Sequence, residues 1–352
     1  MTSPKPKDPA IKRVLVTGAT GFLGRAILTE LSHHGVDVIA ACRTPERLPS
    51  AFTGEVRVGD LTDPAYRAQL VEGVDAICHA GTWGAFYGHA EAEKRLFLDP
   101  TMALLDLAVA AGVKRFLIAS TVAIAQKPAT KGAPVDDFAP NRRTGFWPHL
   151  DMLGEVDQRM RELACDDTRM IAMRLGHFVG AGVSLGLVPA LIPRLKTRLV
   201  PWLGRARARM PMVTDTDMAR AFALAATVEG VAAYDSFNVH SGQLPTLREV
   251  FTEISREARV PLPLFAAPYW SGYIFGRLME ALPTPTPFLT RSLVLVAEDW
   301  NTPITHARDV LGYAPQDDWR AAVKASVAER RALGFAWPRL GQAVTSSVAA
   351  PR

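Results

Sequence analysis

Lys12 to Gly24 reads KRVLVTGATGFLG, and the reading of this stretch decides the fold. Lys12 to Thr17 is a β-branched, apolar run, the pattern of a buried strand. A turn with glycines at 18, 21 and 24 follows at once, and Phe22, Leu23, Ala26, Ile27 and Leu31 then recur at helical spacing. Gly18 permits a tight strand-to-helix turn, Gly21 lets a pyrophosphate approach the backbone, and Gly24 lets the helix lie close to the sheet. The helix N-terminus supplies free N–H groups and a positive dipole end for the phosphates. A strand, a glycine turn and a helix in this order predict a nicotinamide dinucleotide site built by Thr17, Gly18, Thr20, Gly21, Phe22, Leu23 and Gly24.

Outward from that turn, strands and helices alternate. Strands are expected at Val36–Cys42, Val56–Val58, Asp75–His79, Arg115–Ala119 and Arg169–Arg174, with helices at Pro64–Glu72, Leu104–Ala111 and about 150–163. Gly35 reads as a helix C-cap, and Asp99-Pro100 as the N-cap and first residue of a restarted helix. The alternation predicts an α/β fold, a doubly wound parallel sheet of Rossmann type, over residues 11–176. After Gly176 the rhythm becomes irregular, which reads as a smaller C-terminal substrate domain over 177–335. Late elements of the first domain, at about 213–240, are interleaved with it. Thr246 and Glu249 have capping-box spacing ahead of a helix to Ala258, Asp217 reads as a helix anchor, and Asp317–Leu333 is a final amphipathic helix. Residues 1–10 read as a disordered leader without a signal-peptide core, and 341–352 as a flexible tail.

Composition narrows the function classes. Apolar residues make up 48% and charged residues 21%, as in an ordinary globular protein. Three widely spaced cysteines offer no metal-ligand spacing and no disulfide framework, so no metal and a reducing cytoplasm are expected. A net charge of +5 is too weak to indicate nucleic acid. The basic stretch Arg194–Arg209 reads as a solvated face, or else as a contact for an anionic cofactor or substrate tail. Pro261–Leu282 is strongly apolar but broken by Pro268, Arg277 and Glu280. It suits a substrate-pocket wall, or a helix dipping into a membrane surface, better than a membrane span.

The end of the second strand selects the cofactor. A carboxylate there would bond the 2′-hydroxyl of NAD, but this chain has Cys42-Arg43. Arg43 can pair with a 2′-phosphate, so NADP is favoured, with NAD as the alternative.

TGATGFLG, GDLTD at Gly59–Asp63, HAGTWG at His79–Gly84, AGVKRFLIAST at Ala111–Thr121, MRLGHFVGAG at Met173–Gly182 and LGYAP at Leu311–Pro315 stand in a consistent order. Together they resemble the extended short-chain dehydrogenase/reductase family of NAD(P)-dependent epimerases and dehydratases, in its 3β-hydroxysteroid dehydrogenase-like branch. The resemblance covers about residues 12–335. It implies that Asp60 and Leu61 lie by the adenine, that His79, Ala80 and Gly81 line the nucleotide, and that copies pair through a helix bundle as a homodimer.

The family's chemistry uses a Tyr and a Lys four residues later, a Ser or Thr hydroxyl, and an Asn. The hydroxyl is matched by Thr121, beside Ser120. No tyrosine lies between Tyr87 and Tyr234. Alignment from the MRLG strand puts His149 at the Tyr position and Leu153 at the Lys position; a two-residue shift puts Trp147 and Asp151 there. Phe97 falls at the Asn position. Tyrosine needs a cationic neighbour because its ordinary pKa is about 10, whereas histidine, near 6.5, does not. His149 is therefore the candidate acid or base. His177 and Asp151 are further candidates, and Tyr87 and His89 border the expected substrate loop.

Three readings follow. The first is an NADP-dependent oxidoreductase with atypical catalytic groups, acting on a lipophilic carbonyl or alcohol. The second is a nucleotide-binding sensor or partner subunit without redox turnover. The third is a lyase, cyclase or isomerase on the same scaffold.

Overall fold

The computed structural model describes residues 10–184, 186–282 and 287–337. The expected tail at 341–352, and the leader apart from Ala10, lie outside the described residues. Seven strands form one sheet: β1 (Arg13–Thr17), β2 (Asp37–Cys42), β3 (Glu55–Val58), β4 (Ala76–His79), β5 (Arg115–Thr121), β6 (Arg169–Leu175) and β7 (Tyr234–Val239). Their spatial order is β7-β6-β5-β4-β1-β2-β3, and every neighbouring pair is parallel. The order reverses between β1 and β4, where Val14 pairs with Val38 on one side and Ala76 on the other. In open α/β sheets such a switch point opens the ligand crevice beyond the carboxyl ends of the strands.

Period-two alternation sends side chains to two cores. Val14, Val16, Ala40 and Cys78 face α1 (Phe22–Leu31), α7 (Asp215–Thr227) and α11 (Thr305–Leu311). Leu15, Ile39 and Ile77 face α2 (Pro64–Leu70), α4 (Asp99–Ala110) and α5 (Pro148–Leu163). A third core joins α6 (Leu187–Lys196), α8 (Leu247–Ala258) and α12 (Trp319–Ala332) around Trp202, Phe251 and Trp319. The capping box at Thr246 and Glu249 is formed, with both reciprocal hydrogen bonds. Asp217, buried, accepts from the Gln316 and Asp317 N–H groups and so ties α7 to the approach of α12.

Three expectations are corrected. Helix α1 ends at Leu31 with Ser32 as its C-cap, and Gly35 instead supplies a left-handed residue in the following turn. The chain does not restart at Asp99. Helix α3 (Ala90–Glu93) runs through a π-helical turn at Lys94–Leu98 into α4, and Asp99 is itself helical. Pro100 has no N–H and its ring crowds the preceding turn, and the wider π turn accommodates it without a break. The basic stretch is not one solvated face: Arg194 is buried, and Arg209 forms a bidentate pair with Asp299 at 2.6 and 2.9 Å. The apolar stretch, as expected, forms no single span: it divides into a loop with a two-residue strand at Ala266–Ala267 and α9 (Tyr269–Glu280), whose Gly272 and Gly276 pack inward on α10 (Arg291–Val296). Trp270, Ile274, Leu278 and Leu282, spaced four apart, face outward. Among the described residues no helix is long and apolar enough to cross a membrane.

Candidate functional site

The glycine turn is shaped as a cradle. Gly18 has φ +64°, and a Cβ on it would stand 2.6 Å from the Gly81 Cα. A Cβ on Gly24 would press into the Gly18 carbonyl, 2.8 Å from its carbon. The turn closes with the Gly21 N–H donating to the Gly18 carbonyl at 2.8 Å. The first turn of α1 carries no side-chain cap and no acidic residue, so its N–H groups and dipole end are left for an anion. These features fit a dinucleotide pyrophosphate.

Thr17 and His79 end the two strands at the switch point. The Thr17 hydroxyl lies 2.8 Å from His79 Nδ1 and accepts from the Gly81 N–H at 3.2 Å, while His79 Nε2 lies 3.0 Å from the Thr101 hydroxyl. Burial pushes the His79 pKa down to about 4. A neutral imidazole bonded on both sides braces the Ala80–Gly81 backbone against the glycine turn, and that bracing is its contribution to the site. Leu61 Cδ1 would stand 3.0 Å from a Cβ on Gly81, which puts Leu61 on the same wall.

Thr20 is half-buried within the turn and Leu23 is buried under it. Phe22 meets Phe178 at a centroid distance of 6.4 Å, which brings the segment after β6 over the start of α1. Arg43, exposed beyond β2, stands 3.5 Å from Asp60. Burial opposes ionisation of Asp60, but hydrogen bonds from the Thr62 N–H and hydroxyl, together with Arg43, hold its carboxyl below the ordinary range.

The candidate reaction end lies two strands away. Thr121, the last residue of β5, accepts from the Ala123 N–H at 3.2 Å. Ser120 is buried, and its hydroxyl has no protein partner. Helix α5 packs on the turn that follows Thr121 and carries His149 in its first turn. The His149 ring abuts Gly84, where a Cβ would come within 2.8 Å of the imidazole, and meets Phe97 at 5.2 Å between centroids. Its Nδ1 is shut from solvent without a partner, and burial lowers its pKa to about 4. Leu153 and Trp147 are buried in the core with Phe97.

The other candidates are placed differently. Asp151 accepts from the Thr144 N–H and hydroxyl and the Gly145 N–H at 2.6 to 2.9 Å, so its carboxylate shapes the turn before α5. His177 follows β6 in a two-residue strand paired with Met212–Val213. Its Nε2 is buried and unpartnered, and burial, with Lys127 and His240 nearby, lowers its pKa to about 4. His89 takes a left-handed backbone at the start of α3, with its ring 6.0 Å from Trp83 and 6.4 Å from Tyr87.

Two groups near this end were not singled out from the sequence. Glu93 is fully buried on α3 and accepts from the Ala85 N–H at 2.6 Å, and its other oxygen has no partner. Burial outweighs that hydrogen bond and raises its pKa to about 8. The same loop is held by the Trp147 indole, which donates to the Ala85 carbonyl at 2.7 Å, and by Ser292, which donates to the Phe86 carbonyl. The second group joins Lys127 and Tyr273 on opposite oxygens of Glu298, at 2.7 and 2.5 Å. Burial lowers the Lys127 pKa although Glu298 opposes it. The lone signal for either group was a charged residue beside an apolar run.

Comparison with known proteins agrees with this geometry. Residues 14–239 match the model of the NAD dependent epimerase/dehydratase family, and the chain belongs to that family. It is 28% identical over 326 residues to a 2-alkyl-3-oxoalkanoate reductase of Stenotrophomonas maltophilia, spanning 86% of this chain and 95% of that one. Over 116 residues it is 37% identical to a 3 beta-hydroxysteroid dehydrogenase/Delta 5-->4-isomerase of Mycobacterium tuberculosis, 31% of each chain. A short-chain dehydrogenase/reductase superfamily protein of Agrobacterium tumefaciens, solved with bound NAD, shares the fold with a TM-score of 0.67 and 20% identity, covering 91% of this chain and 98% of that one.

Proposed function

We propose that this protein is an NADP-dependent oxidoreductase that interconverts a lipophilic carbonyl and its alcohol. The observation that carries the reading is the anion-ready glycine cradle at the switch point, on the same sheet edge as the Thr121 hydroxyl at the end of β5. Thr17 to Gly24 would hold the pyrophosphate, and Arg43 would meet the 2′-phosphate of NADP; NAD lacks that group. When bound, the nicotinamide supplies or accepts the hydride. Thr121 orients the substrate oxygen through its hydroxyl. His149 handles the proton: in alcohol oxidation its neutral imidazole would accept the hydroxyl proton, and in carbonyl reduction it would first take a proton from solvent, its basicity raised by the negative charge developing on the substrate oxygen, and pass it to that oxygen. Tyrosine at this position would need a cation, and Leu153 four residues on supplies none.

The test follows NADPH oxidation with 2-alkyl-3-oxoalkanoates, the class acted on by the Stenotrophomonas relative, and with long-chain ketones. His149→Phe should lower kcat roughly 100-fold or more, the low end of what a positioned acid or base contributes, with little change in NADPH affinity. Unchanged turnover would remove His149 from the mechanism. A second reading, nucleotide binding without redox turnover, draws on the burial of Leu153 and Phe97 where the family places polar groups. Tight NADPH binding with no turnover on any of these substrates would favour it.

A further inference from the structure

A cavity of about 620 Å³ lies in the second domain between α6, α9 and α10. That volume is within the roughly 300–1,000 Å³ of ordinary ligand pockets. Its walls are apolar: Leu191, Leu203, Phe251, Phe275 and Leu293 contribute, and Gly272 leaves space where α9 passes. Exposed Leu199 and Phe265 stand at its rim.

Among the described residues, one charged side chain lines it. Arg194, near the C-terminal end of α6, is only 4% exposed. Its guanidinium donates to the carbonyls of Ala190 at 2.5 Å, Pro287 at 2.9 Å and Phe288 at 2.6 Å, and it stacks 4.9 Å from the Trp337 ring. Those bonds use one N–H on each nitrogen and leave two of the roughly five guanidinium donors over. No carboxylate among the described residues pairs with it. Burial alone pushes its pKa down, to about 10, so it remains a cation. Carbonyl dipoles soften the cost of a buried charge, but an anion is the partner that removes it.

We infer that this cavity is a binding site for an aliphatic carboxylate, with the hydrocarbon along the apolar walls and the carboxylate on Arg194. The inference extends the reading of a lipophilic substrate by assigning its acidic end an anchor. Its test needs neither cofactor nor turnover, so the two can fail separately. The guanidinium fork matches a carboxylate in two parallel hydrogen bonds, which an alcohol or ester cannot form.

The experiment is isothermal titration of the full chain with dodecanoate, dodecanol and methyl dodecanoate. The acid should bind at least about tenfold more tightly than either neutral ligand, in line with a charge-assisted pair. Arg194→Gln should erase that difference while leaving the weaker binding of dodecanol. Leu199→Trp, a rim change that keeps the guanidinium, should weaken all three ligands together; it serves if Arg194→Gln does not fold. Equal affinity for acid and ester in the unaltered protein overturns the inference. So does acid binding that Leu199→Trp leaves unchanged, because the ligand would then be elsewhere.

Discussion

Glu93→Gln separates the charge of a buried carboxyl from its hydrogen bond. In the fold, burial holds the Glu93 pKa near 8, against 4.5 for the ordinary group. A raised carboxyl pKa means that the folded state favours the protonated form. Its stabilising effect is complete below about pH 4.5 and is lost as pH rises through about 8. Each pH unit in that window costs about 1.4 kcal/mol, so by pH 7 the wild type has given up about 3 kcal/mol. Glutamine keeps an oxygen for the Ala85 N–H, 2.6 Å away in the wild type, and cannot ionise. Urea unfolding of both proteins at pH 5 and pH 8 reads the difference. The two should be nearly equal at pH 5, and the variant should be the more stable by several kcal/mol at pH 8. Parallel stability curves across that range would refute the reasoning, because Glu93 would then titrate alike in folded and unfolded chains.

Gly24→Ala should abolish tight NADPH binding, measured by nucleotide fluorescence. The added Cβ meets backbone on both Gly18 and Ala19, and loss of two charge-assisted N–H contacts of about 1.5–3 kcal/mol each weakens binding at least 100-fold. Arg43→Ala should weaken NADPH about tenfold or more and leave NADH within a factor of two; equal losses would show that Arg43 does not meet the 2′-phosphate. Thr17→Val should lower stability by about 1–3 kcal/mol in urea, since it strands both His79 Nδ1 and the Gly81 N–H.

The cofactor end was legible because it is local. Strand, turn and helix lie within Lys12–Leu31, and each glycine answers a steric demand met inside that span. The sheet was legible because its central strands are near-continuous apolar runs, buried on both faces. The candidate reaction end was not, because its environment is made by distant pieces. His149 is desolvated by Gly84 and Phe97, and Glu93 becomes a raised-pKa group once the loop from Gly81 to His89 folds over it. Lys127 reaches Glu298 across 171 residues. Arg194 read as one charge in a solvated row, since the carbonyls of Pro287 and Phe288 that enclose it come from 93 and 94 residues further along the chain. Asp99-Pro100 has the composition of a helix start, but the tertiary packing of Glu93 and Phe97 keeps the helix continuous through it.

The π turn at Lys94–Leu98 also makes the residue count of that helix a functional quantity. A π turn fits one more residue into the angle of the α turn it replaces, so deleting a single residue there restores regular α-helix with little rotation, whereas a deletion in the plain α-helix that follows rotates everything before it by about 100°. In that second case Glu93 would swing away from Ala85, and the loop that covers His149 would lose its tether although every side chain but one remained. Across related chains, a one-residue gap at the π turn is therefore expected to leave the floor beneath the loop standing, whereas the same gap a turn further on would change it.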